Sequence, residues 1–291
     1  MTETSTSRPA GGLPTPLARL HERAGLPFWG LPPPLAAAYG GDLGFARPCV
    51  YANFVASMDG VTALGPEYPS SGSAISGHDP ADRFVMGLLR ACADVVLIGA
   101  GTLRATPGHL WTPGHACPAA ADDYAALRRS LGRAADPRLA VVTARGDVPA
   151  GHPAVRGDAL ILTTTAGARR LHGQLPPGCT VLDLGDRPAL PVADLLAAIR
   201  ARGGSMVLTE GGPRLLGRLV ADGLLDELFL TVSPVLAGRA STLRPGLITA
   251  LELLPARAVT AELVGVRRHG SYLFLRYRMQ GRPHPAEPGD G

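Results

Sequence analysis

Lysine is absent. All 28 basic residues of this 291-residue chain are arginine. That excludes a Walker-type phosphate lysine, and it excludes a Schiff-base lysine and the pyridoxal chemistry that needs one. Cysteine is scarce: Cys49, Cys92, Cys117 and Cys179 form no C-x-x-C pair, which speaks against a zinc ribbon or a redox dithiol. The H-x-E and P-C-x-x-C pattern of zinc deaminases is missing as well. Unpaired thiols in a chain of this size suit a reducing compartment, so a cytoplasmic protein is expected. No apolar run approaches the roughly 18 residues that cross a bilayer, so no membrane partner is expected. The opening residues lack the basic start and apolar stretch of a secretory signal. The net charge is only +4 without a basic block, so no nucleic-acid partner is expected. His109, His115, His152 and His172 match no ligand spacing and sit beside Pro or Gly; they read as solvated loop residues, and no metal is expected.

What is present is enough apolar side chain, 46% of the chain, to build a core. Residues 1–16 and 281–291 are rich in turn-formers and read as disordered ends. Residues 17–48 form a lead-in, broken by Pro and Gly, that packs on the rest; residues 49–280 form the main domain. There, short apolar runs alternate with helix-period segments: Tyr51–Ser57, Val95–Ile98, Leu139–Thr143, Ala159–Thr163, Met206–Thr209, Leu228–Val232 and Tyr272–Tyr277. This predicts an α/β fold, a mostly parallel central sheet flanked by helices. The last two runs lack a good helix between them, so the C-terminal edge is expected to be antiparallel. Asp79-Pro80, Pro191 and Pro213 each start a helix. A further helix is expected over residues 119–135, and the Arg pairs at 128–129 and 169–170 read as exposed helix faces.

Four segments carry chemistry. In VLIGAGT a strand runs into Gly99, Gly101 and Thr102; glycine lets a ligand approach the backbone and Thr102 offers a hydroxyl. Arg104 stands where the dinucleotide fingerprint needs a third glycine. In VLTEGGPRLLG a strand stops at Glu210, and Gly211, Gly212 and Pro213 open a helix whose free N–H groups suit an anion such as a pyrophosphate. An ordinary tight turn explains the same glycines. Glu210 falls where ligands of open α/β sheets bind. Two more strand ends carry Thr143, Ala144 and Arg145, and Thr163, Thr164 and Thr165, residue types that favour the 2′-phosphate of NADP if these strands flank a cofactor. In NFVASMDG the strand breaks at Ser57, Asp59 and Gly60, either a ligand contact or a bland Asp-Gly turn.

Together the motifs Ala56-Ser57-Met58-Asp59-Gly60, Leu88-Leu89-Arg90-Ala91, Gly99-Ala100-Gly101-Thr102, Glu210-Gly211-Gly212-Pro213, Gly223-Leu224-Leu225-Asp226-Glu227-Leu228 and Pro234-Val235-Leu236-Ala237-Gly238 resemble the reductase domain of the riboflavin-biosynthesis deaminase/reductase. That domain is a relative of dihydrofolate reductase, and the resemblance runs from about Val50 to Tyr277. It implies a dihydrofolate reductase-like fold and a homodimer. It also implies an enzyme in which NADPH reduces the ribosyl group of a phosphoribosylamino-pyrimidine. By motif, Ala56, Gly99, Gly101, Thr102, Thr143, Ala144, Arg145, Thr164, Thr165, Gly211, Gly212, Pro213, Arg214 and Leu215 would contact NADPH. Ser57, Ser73, Arg90, Thr106 and Glu210 would contact substrate, with Glu210 or Asp59 moving the proton. Gly211-Gly212 resembles a pair joined by a cis peptide in dihydrofolate reductases. The chain departs from the family at Asn53, where a lysine is common, and at Leu103–Pro107, where Thr106 replaces an acid. A changed substrate, a dihydrofolate or pterin substrate, and a silent NADPH-binding protein are the competing expectations.

Overall fold

The computed structural model describes residues 13–65, 68–238 and 244–280. The expected disordered ends therefore lie outside the described residues, apart from residues 13–16. The strands, in chain order, are β1 (Ala18–Glu22), β2 (Cys49–Ala56), β3 (Val95–Gly99), β4 (Arg138–Thr143), β5 (Leu160–Thr163), β6 (Thr180–Asp183), β7 (Met206–Thr209), β8 (Glu227–Val232), β9 (Ala261–His269) and β10 (Tyr272–Met279). The helices are α1 (Pro33–Tyr39), α2 (Ser71–Ile75), α3 (Pro80–Ala91), α4 (Ala100–Ala105), α5 (Pro113–Ala116), α6 (Ala121–Ser130), α7 (Thr165–Leu171), α8 (Val192–Arg200) and α9 (Pro213–Ala221).

The strands form one sheet in the order β1-β9-β10-β8-β2-β7-β3-β4-β5-β6. From β8 through β6 all neighbours are parallel. β8, β10, β9 and β1 pair antiparallel. This is the mixed, mostly parallel sheet with an antiparallel edge that the sequence predicts. Three strands escape the sequence reading. β1 and β6 are exposed or half-buried edge strands, so neither shows the apolar run that marks a central strand. β9 has exposed residues at three of its nine positions and only three buried ones.

Alternation along the buried strands supplies both faces. Tyr51, Val96, Ile98 and Val141 face Phe84, Leu88, Tyr124 and Leu127 of α3 and α6. Val50, Ala52, Leu97 and Ala140 face Leu195, Ile199, Leu216 and Leu219 of α8 and α9. Each fully buried valine, leucine, isoleucine or phenylalanine among them contributes about 1.5–3 kcal/mol.

α3 is fixed at both ends. Asp79 caps its start, accepting the N–H groups of Ala81 at 2.9 Å and Asp82 at 3.0 Å. At its far end Arg128, expected on an exposed face, is 2% exposed and donates to the carbonyls of Arg90, Ala91 and Ala93. The orphan carbonyls of a helix end need donors, and a long guanidinium from the neighbouring α6 supplies them. The helix expected over residues 119–135 is shorter, Ala121–Ser130. Cis peptide bonds lie at Arg47–Pro48 and Leu254–Pro255; the Gly211–Gly212 bond is not among them.

Candidate active site

β2, β7 and β3 lie side by side and parallel, so their carboxyl ends open onto one edge of the sheet. A cleft of about 410 Å³ lies there, in the size range of small-molecule sites. α3 runs along it and presents Asp82, Arg83, Met86 and Arg90, a stripe one helical turn apart. Asn53 and Phe54 of β2, Thr102 and Thr106 of α4 and its C-cap, and the run Glu210–Pro213 close the other sides. Ser70, Ser73 and Ser76 form a hydroxyl-rich rim. A second cleft of about 660 Å³ opens beside Asp94, Arg133 and Arg138. Asp94 and Arg138 stand at the amino ends of β3 and β4, away from the strand ends where open α/β sheets bind ligands.

The turn after β7 is built by short-range bonds. Thr209 Oγ1 donates to Leu97 O and accepts the Gly211 N–H, at 3.2 and 3.3 Å. A Cβ on Gly211 would meet Leu215 Cδ2 at 2.5 Å, so any larger residue would make the Leu215 side chain move aside. Gly212 begins α9 without a side-chain cap, leaving the helix's positive end open. A Cβ on Gly212 would extend to within 3.7 Å of Thr102 Oγ1, across the gap between the two glycine-bearing strand ends. Beside Gly99 and Gly101 there is open space. Open backbone plus an uncapped helix start suits an anion such as a diphosphate.

Arg90 and Glu210 form a two-pronged ion pair, Nε to Oε1 at 3.0 Å and Nη2 to Oε2 at 2.7 Å. Nη2 also meets His109 Nε2 at 2.9 Å, and Nη1 donates to the carbonyls of Leu110 at 3.1 Å and Thr112 at 3.4 Å. Five donors thus meet five acceptors. Arg90 was expected to hold substrate; in the structure it is 1% exposed and holds Glu210 and the 109–112 loop. The bond requires His109 Nε2 to accept, so the imidazole is neutral. Burial, then the Arg90 charge, lowers its pKa to about 3. Burial and the same guanidinium also lower His115.

The histidines differ from expectation. His109 and His152 flank Trp111 and His115 meets His109: His109 lies edge-on to Trp111 at 4.9 Å and to His115 at 4.7 Å, and His152 lies 6.0 Å from Trp111. His152 is buried and bonds Thr106 O at 3.0 Å. Their Pro and Gly neighbours signal loops, but these loops fold inward over α3. His172 is exposed.

Ser57 and Asp59 differ too. Ser57 is buried, and its hydroxyl donates to Asp59 Oδ1 at 2.6 Å and accepts the Val61 N–H at 2.9 Å. Asp59 also accepts the N–H groups of Ala237 at 3.0 Å and Gly238 at 2.8 Å. The Ser57 bond and then the backbone bonds lower its pKa to about 2. Neither residue lines the cleft. An exposed carboxylate so held pins two loops together and is a poor proton donor at neutral pH.

Of the other residues, Ser73, Thr102, Thr106, Glu210, Gly211, Gly212 and Pro213 meet in the cleft. Ala56, Gly99, Gly101, Thr143, Ala144, Arg145, Thr164, Thr165, Arg214 and Leu215 lie outside it, at or just beyond the same carboxyl ends of the parallel strands. The Thr164 and Thr165 hydroxyls serve local needs: Thr164 caps α7 and donates to Ala144 O at 2.7 Å, and Thr165 bonds Asp183 at 2.9 Å. Arg145 is exposed.

Sequence reasoning missed Asp82. It is 6% exposed, lines the cleft, and faces the hydroxyls of Thr231 and Ser76. Burial raises its pKa to about 6. Its spacing with Met86 and Arg90 was the available signal.

A sheet of this order with a glycine-turned cleft at its centre defines a class of open α/β ligand-binding folds, and comparison narrows the class. Residues 48–271 match the model of the RibD C-terminal domain, and the chain belongs to that family. A pyrimidine reductase-like protein from Corynebacterium diphtheriae is 19% identical with a TM-score of 0.59, over 81% of this chain and 93% of that one. RibD of Acinetobacter baumannii is 19% identical with a TM-score of 0.58 over 84% of this chain, which spans only 60% of that longer protein. The riboflavin biosynthesis reductase Rib7 of Saccharomyces cerevisiae is 13% identical with a TM-score of 0.57, over 83% and 94%. No curated protein sequence matches. At these identities the likeness is one of fold. Among the described residues no helix is long and apolar enough to cross a membrane.

Proposed function

We propose that this chain is an NADPH-dependent reductase of a small heterocyclic or ribosylamino compound. It is of the 5-amino-6-(5-phosphoribosylamino)uracil reductase type, or a relative with a changed substrate. The observation that carries the reading is the meeting of an uncapped helix start, a Gly-Gly turn and a buried arginine-held carboxylate in one cleft. Gly212, Thr102 and the start of α9 would hold the diphosphate, and Gly99 and Gly101 leave room beside it. Bound there, the nicotinamide supplies hydride.

The chain's own groups do the rest. Glu210 presents an anionic acceptor whose orientation Arg90 fixes beforehand, suited to a ring N–H. Trp111 and Phe54 border the cleft and restrict water. Arg83 lies exposed at the rim, its Nε donating to Ala116 O at 2.9 Å, and its remaining donors suit a substrate phosphate. Arg90, fully engaged, does not serve that purpose. Family membership and the shared fold support the reading. The homodimer is part of the proposal, since β1 and β6 leave two sheet edges.

The test is NADPH titration followed by turnover on phosphoribosylamino-pyrimidine, dihydrofolate and pterin substrates. We expect saturable NADPH binding and turnover on the pyrimidine or a close heterocycle. Glu210→Gln should keep NADPH affinity and lose about 10²-fold in turnover. Folate-dependent NADPH consumption alone would assign the folate reaction instead. NADPH binding with no turnover across the panel would make the chain a binding protein.

A further inference from the structure

Two carboxylates share the cleft, and their settings are opposite. Glu210 has a guanidinium on both oxygens. Among the described residues no guanidinium pairs with Asp82 as Arg90 does with Glu210; the Thr231 hydroxyl of β8 and the Ser76 hydroxyl before α3 bond it, and two further acids, Asp79 and Glu210, lie near it. Burial, and after it Asp79 and Asp82, disfavour ionisation of Tyr272 of β10. The nearby His269 is turned to Asp79, at 3.5 Å. Arg83, next to it on α3, is exposed and spends Nε on Ala116 O. An acid buried among acids and hydroxyls avoids the charged state, and burial raises this one to about 6. Two acids in one site with opposed environments divide the roles of proton donor and fixed anion.

We propose that Asp82 is the proton donor of the cleft, entering the reaction as a neutral carboxylic acid while Glu210 remains the fixed anion. This rests on the reductase reading and names a group that touches the reacting atoms. In the step, the carbon of a polarised C=N or C=O bond accepts hydride from a dihydronicotinamide, forming a C–H bond. The π electron pair moves to the heteroatom. The heteroatom takes the proton as the Asp82 O–H bond breaks, leaving a carboxylate that solvent reprotonates. The substrate gains two electrons and two hydrogens, and the dihydronicotinamide is oxidised.

Asp82→Asn keeps the shape and a hydrogen-bond donor but has no acidic proton; Asp82→Glu keeps the acid. The first measurement uses cofactor-free protein. Carboxyl carbons followed by NMR across pH should show one acid titrating near pH 6, absent in Asp82→Asn. The second is turnover against pH. Wild type should lose kcat as pH rises through that value, Asp82→Asn should be flat and lower by about 10²–10⁴, and Asp82→Glu should recover part of the rate. Absence of that titration overturns the proposal, and so does Asp82→Asn turnover within about threefold of wild type. Wild type that titrates as expected yet oxidises NADPH with no substrate overturns the reductase reading, and the role of Asp82 falls with it. Wild type that turns over alongside an equally active Asp82→Asn overturns the role of Asp82 alone.

Discussion

Arg90–Glu210 and Arg276–Glu227 are the same chemical pair in two settings. Each joins Nε and Nη2 to two carboxylate oxygens, at 3.0 and 2.7 Å in the first and 2.7 and 3.1 Å in the second. Arg276 belongs to the antiparallel side. It donates to Gly44 O at 2.6 Å, lies over the rings of Phe45 and Phe229, and both partners are 5% exposed. Arg90 belongs to the parallel centre, and its partner Glu210 faces the cleft with 10% exposure. The geometry is shared; the opening beside the carboxylate is not. A sealed pair can only hold strands together, whereas a pair with one open side presents a charge to whatever enters.

The sharpest way to break this contrast is Arg276→Met. It leaves the buried Glu227 with only the guanidinium of Arg278, 3.9 Å away, and should cost about 3 kcal/mol in urea unfolding, with NADPH affinity of the folded protein unchanged. If it also abolished NADPH binding, the two pairs would not be separable. Asp82→Asn comes next, as a stability measurement. The folded pKa of Asp82, about 6, lies above the ordinary 3.8. A raised acid favours folding below its unfolded pKa, and that contribution is lost as pH rises through the folded value. Wild type should therefore lose about 2–3 kcal/mol relative to Asp82→Asn between pH 4 and pH 8. A difference that does not change with pH would show that Asp82 titrates normally. The smallest effect is Gly212→Ala. Its φ of −62° accepts a side chain and the Cβ contact is ordinary. Stability should hold within about 0.5 kcal/mol. NADPH affinity should fall about tenfold, near 1.4 kcal/mol, as read by fluorescence titration.

The parallel centre was legible in the sequence because buried strands write continuous apolar runs, and Pro80, Pro191 and Pro213 mark helix starts. Edge strands β1 and β6 carry mixed residues and left no such record. In the cleft, Glu210 and the glycines stood out because a turn requires them. Ser57 and Asp59 looked like chemistry, yet their hydroxyl and carboxylate close a loop on each other. Asp82 was hidden for the opposite reason. An acid in the first turn of a helix is ordinary, since it complements the dipole; only the packing of β8 against that turn makes it unusual. Arg90 was read as a substrate contact and Arg128 as part of an exposed helix face, because sequence cannot show which carboxylates and carbonyls the folded chain brings to each.

Asp82 and Arg90 ride on one helix, eight positions apart, which sets them about 12 Å from each other along its axis. With Asp79 at one end and Arg128 at the other, that rod cannot stretch. It acts as a ruler inside the molecule. A descendant adapting to a longer or shorter guest must redraw the surrounding loops, the serine rim and the histidine-bearing segment, while the gauge between its two working marks stays as it is.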